Sequence, residues 1–480
     1  MLTLLQLVNI GLVVVLLWAL LTESGRHQLK KIAVMLWGKF ESREEVQKFG
    51  LLAAIFFLLI GIYWALRPMK DSIFFTVVGG ETWQPVAKWL SLVVMVPLII
   101  FYAKLIDKYP RHKVFYVLTT FYAVAALLFA FFFMHPTIGL DNAVADPSRI
   151  IGWMWYIYVE SFGSLIVALF WAFTTDITIP ESAERGFPFI GLFGQFGNIM
   201  GPWLLNARRL GFSTSAPVVA ICAFFIFALA LLLWFFMRVT PKSQLVSYHA
   251  KHHEEKHTEP GFLEGLKLLV TKGYLLGIFL IISVYEIIVT VIDYHFKVTG
   301  HAVYPVEADY GAFLSSYATM TGVVSTLCVF FGINNIQRKL GMKASLVLLP
   351  ILVAVAVVTL KLNPTALNIA FWIMVFSKAV NYALNQPTLK LLYIPTTKDT
   401  KYKAQAWIEM FGSRGSKAAG SAISASRGIF TAKYGAAAAL SAFFTLFSVF
   451  SGVMIIGWLF VAIYVSKTYD KAIRNKEVVC

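Results

Sequence analysis

The chain is built from long apolar runs separated by short polar segments. A helix needs roughly 20 apolar residues to cross the hydrocarbon core of a bilayer, and thirteen runs approach that length. They fall at 4–22, 49–66, 87–105, 114–134, 151–174, 188–206 and 216–237, and then at 272–292, 309–332, 343–360, 366–386, 404–424 and 437–466. The pattern predicts an all-α polytopic membrane protein with twelve spans and one extra N-terminal span.

Two of these runs, 188–206 and 404–424, are rich in Gly, Ala and Ser and only weakly hydrophobic. Small residues let membrane helices approach closely inside a bundle. The glycine-rich stretch "GQFGNIMG" (194–201) lies within the first of them. We therefore expect it to serve helix packing and not to cradle a phosphate.

Composition leads to the same class of protein. Hydrophobic residues make up 59% of the 480 residues and charged residues only 14%, which excludes an ordinary soluble domain. The net charge of +16 does not indicate a nucleic-acid partner, because the basic residues sit in short loops between apolar runs and form no single stripe. The three cysteines are far apart and have no metal-binding spacing.

Basic residues concentrate in alternate loops, which predicts the orientation in the membrane. The basic loops are 26–48, 104–113, 238–273, 338–343, 398–403 and 467–476. Since cytoplasmic loops carry the excess of Lys and Arg, these loops and the C-terminus should be cytoplasmic. With thirteen spans, the N-terminus should then lie outside. The first run has no small-residue cleavage site behind it, so we expect an uncleaved helix and a bacterial inner membrane.

An internal repeat divides the chain into two halves. The segments "IPESAERGFPFIGLFGQFG" (179–197) and "IPTTKDTKYKAQAWIEMFG" (394–412) open and close alike and occupy the same place in each half. Parallel six-helix halves are the architecture of major-facilitator-type transporters, which bind substrate at the midplane between the halves. The predicted units are an extra helix with an amphipathic segment (1–48), two six-helix halves (49–237 and 272–466), a His-rich linker (238–271) and a tail (467–480).

Eight ionisable residues fall inside the predicted spans or just beyond their ends. They are Arg67, Lys70, Asp71 and Glu160 in the first half, and Glu286, Asp293, Lys378 and Lys390 in the second. Each costs about 2.5–3.5 kcal/mol at the bilayer centre, so it should face a cavity or a charged partner. Several fixed cations in a cavity suit a multiply charged anion, because Arg and Lys replace the hydration of phosphate oxygens. Taken singly, each residue is also explained by a buried ion pair or a side chain that reaches the interface.

Two stretches of the first half resemble the bacterial and plastid ATP/ADP translocase family. "LRPMKDSIFF" is similar to the Leu-Arg-Asp-Thr-Lys-Asp pattern that ends the first helix of that family, and it departs from it at Pro68 and Met69. "YVESFGSLIVALFWAF" (158–173) resembles the fourth-helix stretch of the family, whose acidic residue falls at Glu160.

Two more stretches carry the resemblance into the second half. "VIDYHFK" is similar to Val-Glu-Val-(Ser/Thr)-Trp-Lys, with Asp293 in place of Glu and Lys297 matching. "LKLLYIP" resembles Lys-Glu-Met-Ala-Tyr-Ile-Pro, with Leu389 in place of the Lys and a cation one position later, at Lys390. The resemblance covers about 40–465 and implies a major-facilitator-like fold that exchanges ATP for ADP, or other nucleotides.

The resemblance also implies roles for individual residues. Arg67, Lys70 and Lys390 would bind phosphates, and Glu160 and Asp293 would be gating or coupling carboxylates. The loop "DKYPRHK" resembles the gating loop of major-facilitator proteins, which predicts gating roles for Asp107, Arg111 and Lys113. The expected partners are a nucleotide, phosphate and membrane lipid, but no nucleic acid, and we expect a monomer without a cofactor.

Three other classes of function stay open at this point. No P-loop and no catalytic triad can be found in the sequence, which disfavours an ATPase or another membrane enzyme. A proton-coupled transporter of another anionic metabolite is the main alternative, with Glu160, Glu286 and Asp293 carrying protons. A receptor that has lost transport is compatible with the same residues.

Overall fold

A computed structural model describes residues 22, 40–245, 262–330, 335–397, 408 and 412–479. Except for Thr22, the predicted extra N-terminal span falls outside these residues. Most of the His-rich linker (246–261) and the loop 398–407 also fall outside them. The described part is helical throughout, with no β-strand among its residues.

The first half contains six long helices among the described residues. They are α1 (Arg43–Val77), α2 (Gly80–Lys108), α3 (Arg111–Phe133), α4 (Ile150–Asp176), α5 (Pro180–Leu204) and α6 (Ala216–Val239). A single helical turn, Ala207–Leu210, lies between α5 and α6. Each long helix coincides with one predicted span and extends beyond it by up to about three turns.

The described part of the second half likewise contains six long helices. They are α7 (Gly273–Val303), α8 (Glu307–Phe330), α9 (Asn335–Leu362), α10 (Leu367–Leu391), α11 (Ser413–Tyr434) and α12 (Ala436–Asn475). A short helix, Phe262–Thr271, precedes α7. The prediction of an all-α, multi-span membrane protein is confirmed for the described residues, which contain six long helices in each half.

Ten of these helices are long and apolar enough to span a membrane, and α5 and α11 are the two that are not. Both helices contain many small residues, which lower their hydropathy and allow close helix packing. A Cβ atom at Gly201 of α5 would lie 2.0 Å from the carbonyl oxygen of Gly61 in α1. In the second half, a Cβ atom at Gly420 of α11 would lie 2.7 Å from the carbonyl oxygen of Ile287 in α7. The prediction that the two glycine-rich runs allow close helix contact is confirmed.

Each half has its own hydrophobic core. One core is formed by α1–α6 and the other by α7–α12. Two residues cross over: Phe75, near the end of α1, packs in the core of the second half, and Ala308, near the start of α8, packs in the core of the first. The halves therefore interlock where α1 ends and α8 begins, which we call the α1–α2 end of the molecule.

Two helices have irregular backbones beside the space between the halves. Pro68 lies inside α1 and has no N–H group to donate to the carbonyl oxygen of Trp64 one turn earlier. In α10, residues Asn381–Asn385 form a turn of π-helix. Such turns are rare and occur frequently at functional sites. Both irregularities face the cavity described next.

Candidate functional site

A cavity of about 460 Å³ lies between the two halves. Its walls are contributed by α1, α2 and α4 of the first half and by α7, α8, α10 and α11 of the second. Among the described residues, seven cations and four carboxylates line it, a formal excess of three positive charges: Arg67, Lys70, Lys88, Lys297, Lys378, Arg414 and Lys417, with Asp71, Glu160, Glu286 and Asp293. This electrostatic balance favours an anion over a cation as the occupant.

Seven of the eight residues proposed from the sequence line this one cavity, although they come from four helices and are spread over more than 300 residues of chain. The exception is Lys390, whose side chain is exposed and is not among the residues that line the cavity. Leu389, where the resemblance places a lysine, is buried in the core of the second half. In α10 the cation at the cavity is Lys378, three turns earlier.

Four cavity cations were missed as site residues by sequence reasoning: Lys88, Lys297, Arg414 and Lys417. For three of them, the position inside a predicted span was a usable signal. Lys88 lies inside the predicted span 87–105, and Arg414 and Lys417 lie inside 404–424. Lys297 falls just beyond its predicted span of 272–292, because α7 continues to Val303. Its match to the family pattern was the only indication.

The carboxylates and lysines nearest the α1–α2 end form a continuous chain of ion pairs. Lys70 Nζ donates to Glu160 Oε1 at 2.5 Å and lies 3.9 Å from Asp71 Oδ1. Lys297 Nζ lies 2.9 Å from Asp71 Oδ2 and 2.8 Å from Asp293 Oδ2.

The chain ends at Lys88, whose Nζ is 3.5 Å from Asp293 Oδ2. Gln84 donates a further hydrogen bond of 3.0 Å to Asp71 Oδ1. These contacts partner the buried charges and reduce the cost of their desolvation.

Three other cavity cations have no such partner. Among the described residues, no carboxylate lies within 4 Å of Arg67, Lys378 or Arg414. The guanidinium of Arg67 lies 4.9 Å from the ring centroid of Trp64, and Lys378 Nζ lies 5.6 Å from that of Tyr285. Arg414 donates to the hydroxyl of Ser164 in the opposite half at 3.0 Å. These cations are available to an anionic ligand.

Aromatic side chains stand beside the charged groups. Tyr63, Trp64 and Tyr156 line the cavity from the first half, and Tyr317 and Tyr382 line it from the second. The rings of Trp64 and Tyr382 meet edge to face, with their centroids 6.4 Å apart. Planar faces of this kind can hold a flat ring by stacking.

The two halves are also joined at the α1–α2 end, beyond the cavity. The carboxylate of Glu307 in α8 accepts hydrogen bonds from Ser72 Oγ at 2.7 Å and from the backbone N–H and hydroxyl of Ser215 at 2.9 and 2.8 Å. Nearby, Arg208 donates two hydrogen bonds to Asp309, at 2.5 and 2.9 Å. The hydrogen bonds to this carboxylate raise the pKa of the Arg208 guanidinium above its usual value.

Every hydrogen bond or ion pair that joins described residues of the two halves lies at the cavity or at the α1–α2 end. The structure is therefore closed at that end.

The predicted gating loop lies between α2 and α3, away from the cavity. Arg111, the first residue of α3, forms an ion pair with Asp176, the last residue of α4, and donates to the carbonyl oxygen of Ala172 at 3.3 Å. Lys113 is exposed. The side chain of Asp107 lies outside the described part of the structure. The described side chains of the loop thus tie the ends of two helices together, and none of them is among the residues that line the cavity.

Residues 22–469 of the sequence match the TLC ATP/ADP transporter family. The chain belongs to this family. Its relatives in the TLC family include ADP,ATP carrier protein 1 of Rickettsia typhi, which is 24% identical over 506 residues, covering 95% of this chain and 99% of the relative. The protein of the same name from Rickettsia bellii is 26% identical over 510 residues, with the same coverage. The TLC family is one of transporters and not of enzymes.

Solved structures confirm the predicted fold class of this TLC family member. The nucleoside transporter NupG superposes with a TM-score of 0.61 at 13% identity, covering 88% of this chain and 99% of that chain. A bacterial homologue of the human lysosomal transporter Spinster gives a TM-score of 0.55 at 14% identity, covering 90% and 99%. At these identities the likeness shows the fold alone, which is major-facilitator-like.

Proposed function

We propose that this protein is an antiporter that exchanges nucleotides, ATP for ADP or other nucleoside tri- and diphosphates, by alternating access. One observation carries the proposal: Arg67, Lys378 and Arg414 line a cavity between two halves, and no described carboxylate neutralises them. Fixed cations in a partly desolvated cavity bind a polyphosphate through charge-assisted hydrogen bonds. Arg67 and Arg414 supply forked donors that match phosphate oxygens, and Lys378 supplies a point charge.

The rest of the cavity suits the remainder of a nucleotide. Trp64 and Tyr382 provide aromatic faces beside Arg67, on which a base can stack. The relatives from Rickettsia are named ADP,ATP carrier proteins, which supports a nucleotide over other polyanions. The protein would act as a monomer, since both walls of the cavity come from one chain.

The location that we propose is the inner membrane of a bacterium, with the C-terminus in the cytoplasm. Under this orientation the α1–α2 end faces outward, because α1 begins beside a basic loop that would be cytoplasmic. The structure, closed at that end, would then be the state that receives nucleotide from the cytoplasm. Alternating access requires the contacts at the α1–α2 end to open in turn.

Uptake of labelled ATP into intact cells that express the protein tests this function. Excess unlabelled ADP or ATP outside should compete for uptake and should drive efflux of label already inside. The matched control is Arg67→Ala expressed at the same membrane level, which should take up little label. If no nucleotide competes and none drives efflux, the protein does not exchange nucleotides.

A proton-coupled transporter of another anionic metabolite is favoured by one specific observation. Glu286 lines the cavity, its side chain is only 9% exposed, and its Oε2 atom has no hydrogen-bond partner among the described residues. The other oxygen, Oε1, lies 3.4 Å from the Ser413 hydroxyl and 3.8 Å from Lys417 Nζ, so Oε2 is the position at which a transported proton would bind. Transport that collapses with a protonophore and is lost in Glu286→Gln would favour this function. Nucleotide exchange that is indifferent to the protonophore would exclude it.

A further inference from the structure

Two ion pairs in the cavity join the halves of the molecule, and the substrate can reach both. Lys297 of the second half lies 2.9 Å from Asp71 of the first, and Lys88 of the first half lies 3.5 Å from Asp293 of the second. The side chains of all four residues are less than 20% exposed, and all four line the cavity. The two pairs therefore act both as bridges between the halves and as part of the wall that faces the ligand.

These bridges resist opening while the cavity is empty. Opening the α1–α2 end would break both bridges. Lys297 would keep Asp293 and Asp71 would keep Lys70 within their own halves, but Lys88 would lose its only carboxylate among the described residues. Leaving a buried charge unpaired is strongly unfavourable. A phosphate group changes this balance, because its oxygens can replace the carboxylate as the partner of a lysine. The lysine then keeps an anionic partner while the bridge between the halves is released.

We propose that Lys297 and Lys88 exchange partners during transport. In the empty protein they hold the halves together through Asp71 and Asp293. In the loaded protein they bind the phosphate groups of the substrate, and the α1–α2 end is free to open. The identity of the substrate rests on the function proposed above, but the bridges do not. The consequence is exchange without net uptake, because the empty protein cannot leave the closed state at a useful rate.

The chain offers two controls that separate the features of these bridges. Glu160 is a cavity carboxylate paired with Lys70, but both residues belong to the first half, so their pair bridges nothing. The pair of Arg208 and Asp309 bridges the halves but lies outside the cavity, where the substrate cannot replace it. Glu160→Gln therefore breaks an ion pair that lies in the cavity but does not join the halves. Arg208→Gln breaks an ion pair that joins the halves but lies outside the cavity.

Opening can be measured with a cysteine in place of Ala308, which is fully buried between the halves at the α1–α2 end. The three native cysteines are replaced by alanine, and the purified full chain is labelled with a maleimide without any ligand. Asp71→Asn and Asp293→Asn should each speed labelling about tenfold, within the roughly 5- to 150-fold range typical of coupling between sites. Glu160→Gln should stay within about twofold of the parent.

Adding ADP distinguishes bridges that the substrate releases from an ordinary contact between the halves. ADP should speed labelling of the parent protein and should add little in Asp71→Asn or Asp293→Asn, whose bridges are already broken. Arg208→Gln should be labelled faster without ligand and should keep the full response to ADP.

In proteoliposomes, the ratio of net uptake into empty vesicles to exchange with loaded vesicles should rise about tenfold in Asp71→Asn and Asp293→Asn, but not in Arg208→Gln, whose ion pair lies outside the cavity.

The outcomes separate this inference from the proposed function. If Asp71→Asn and Asp293→Asn are labelled no faster than the parent, the bridges do not hold the empty protein and the inference is wrong. If they are labelled faster but ADP has no effect on the parent, the bridges do hold the empty protein closed and the proposed nucleotide substrate is wrong. If ADP speeds all variants equally, the substrate opens the protein by some route other than Lys88 and Lys297.

Discussion

Lys70 and Asp71 are neighbours in the sequence, but their nearest ion-pair partners belong to opposite halves of the molecule. Lys70 pairs with Glu160 of α4 at 2.5 Å, within the first half, whereas Asp71 pairs with Lys297 of α7 at 2.9 Å, across the cavity. Successive residues on a helix point about 100° apart, so one turn of α1 can serve both walls. The charges of "LRPMKDSIF" thus build one side of the cavity and connect it to the other.

Replacing Lys70 by Ala should abolish nucleotide exchange. The change removes the cation that pairs with Glu160 and leaves this carboxylate without an ion-pair partner among the described residues, so that it repels an anionic substrate at the cavity. Exchange in proteoliposomes is the measurement, and size-exclusion chromatography in detergent checks that the protein is folded. Transport at the level of the parent would remove Lys70 from the site.

Replacing Arg67 by Ala should raise the KM for nucleotide at least about tenfold, because an unpaired guanidinium that would bind phosphate is lost. Replacing Lys390 by Ala is the matched control. It removes a cation from the chain but not from the cavity, since Lys390 is exposed elsewhere on α10. The KM of this control should stay within about twofold of the parent. A large rise in its KM would mean that Lys390 binds substrate, as the family resemblance implies.

Replacing Gly201 by Ala should destabilise the protein without touching the cavity. The new Cβ atom would lie 2.0 Å from the carbonyl oxygen of Gly61, so α1 and α5 would have to separate. A drop in Tm of about 1–3 °C is expected for the protein in detergent, because overpacking costs about 1–3 kcal/mol and about 1 kcal/mol shifts the Tm of a chain of this length by roughly 1 °C. Gly191→Ala on the same helix is the control, since no atom lies within 4 Å of its added Cβ. Equal Tm values for the two variants would contradict the close contact of these helices.

Replacing Arg111 by Ala should lower the maximal rate of exchange and leave the KM within about twofold. Its ion pair with Asp176 ties the start of α3 to the end of α4, far from the cavity residues, so its loss should affect the conformational change and not binding. The exposed Lys113 serves as a control, and Lys113→Ala should behave like the parent. A loss of affinity without a loss of rate would contradict a gating role for Arg111.

Most of the candidate site could be predicted because charge inside an apolar span is costly wherever it occurs. That rule identified Arg67, Glu160 and Lys378 without any knowledge of contacts. It could not tell which way a side chain points, and so it included Lys390, which faces away from the cavity. It also missed Lys297, which lies as far beyond the end of its predicted span as Asp71 lies beyond the end of its own.

The sequence by itself determined the class of the protein and the approximate positions of twelve long helices, and it predicted two equivalent halves. These follow from local properties, namely hydropathy, small-residue content and a repeated segment, which do not depend on distant contacts. Only the tertiary structure decided which charges neutralise one another and which stay free. That choice depends on distances of about 3–4 Å between residues more than 200 positions apart, such as Asp71 and Lys297. Ion pairing in a low-dielectric cavity falls off steeply with distance, so the division into paired and free cations exists only once the two halves have come together.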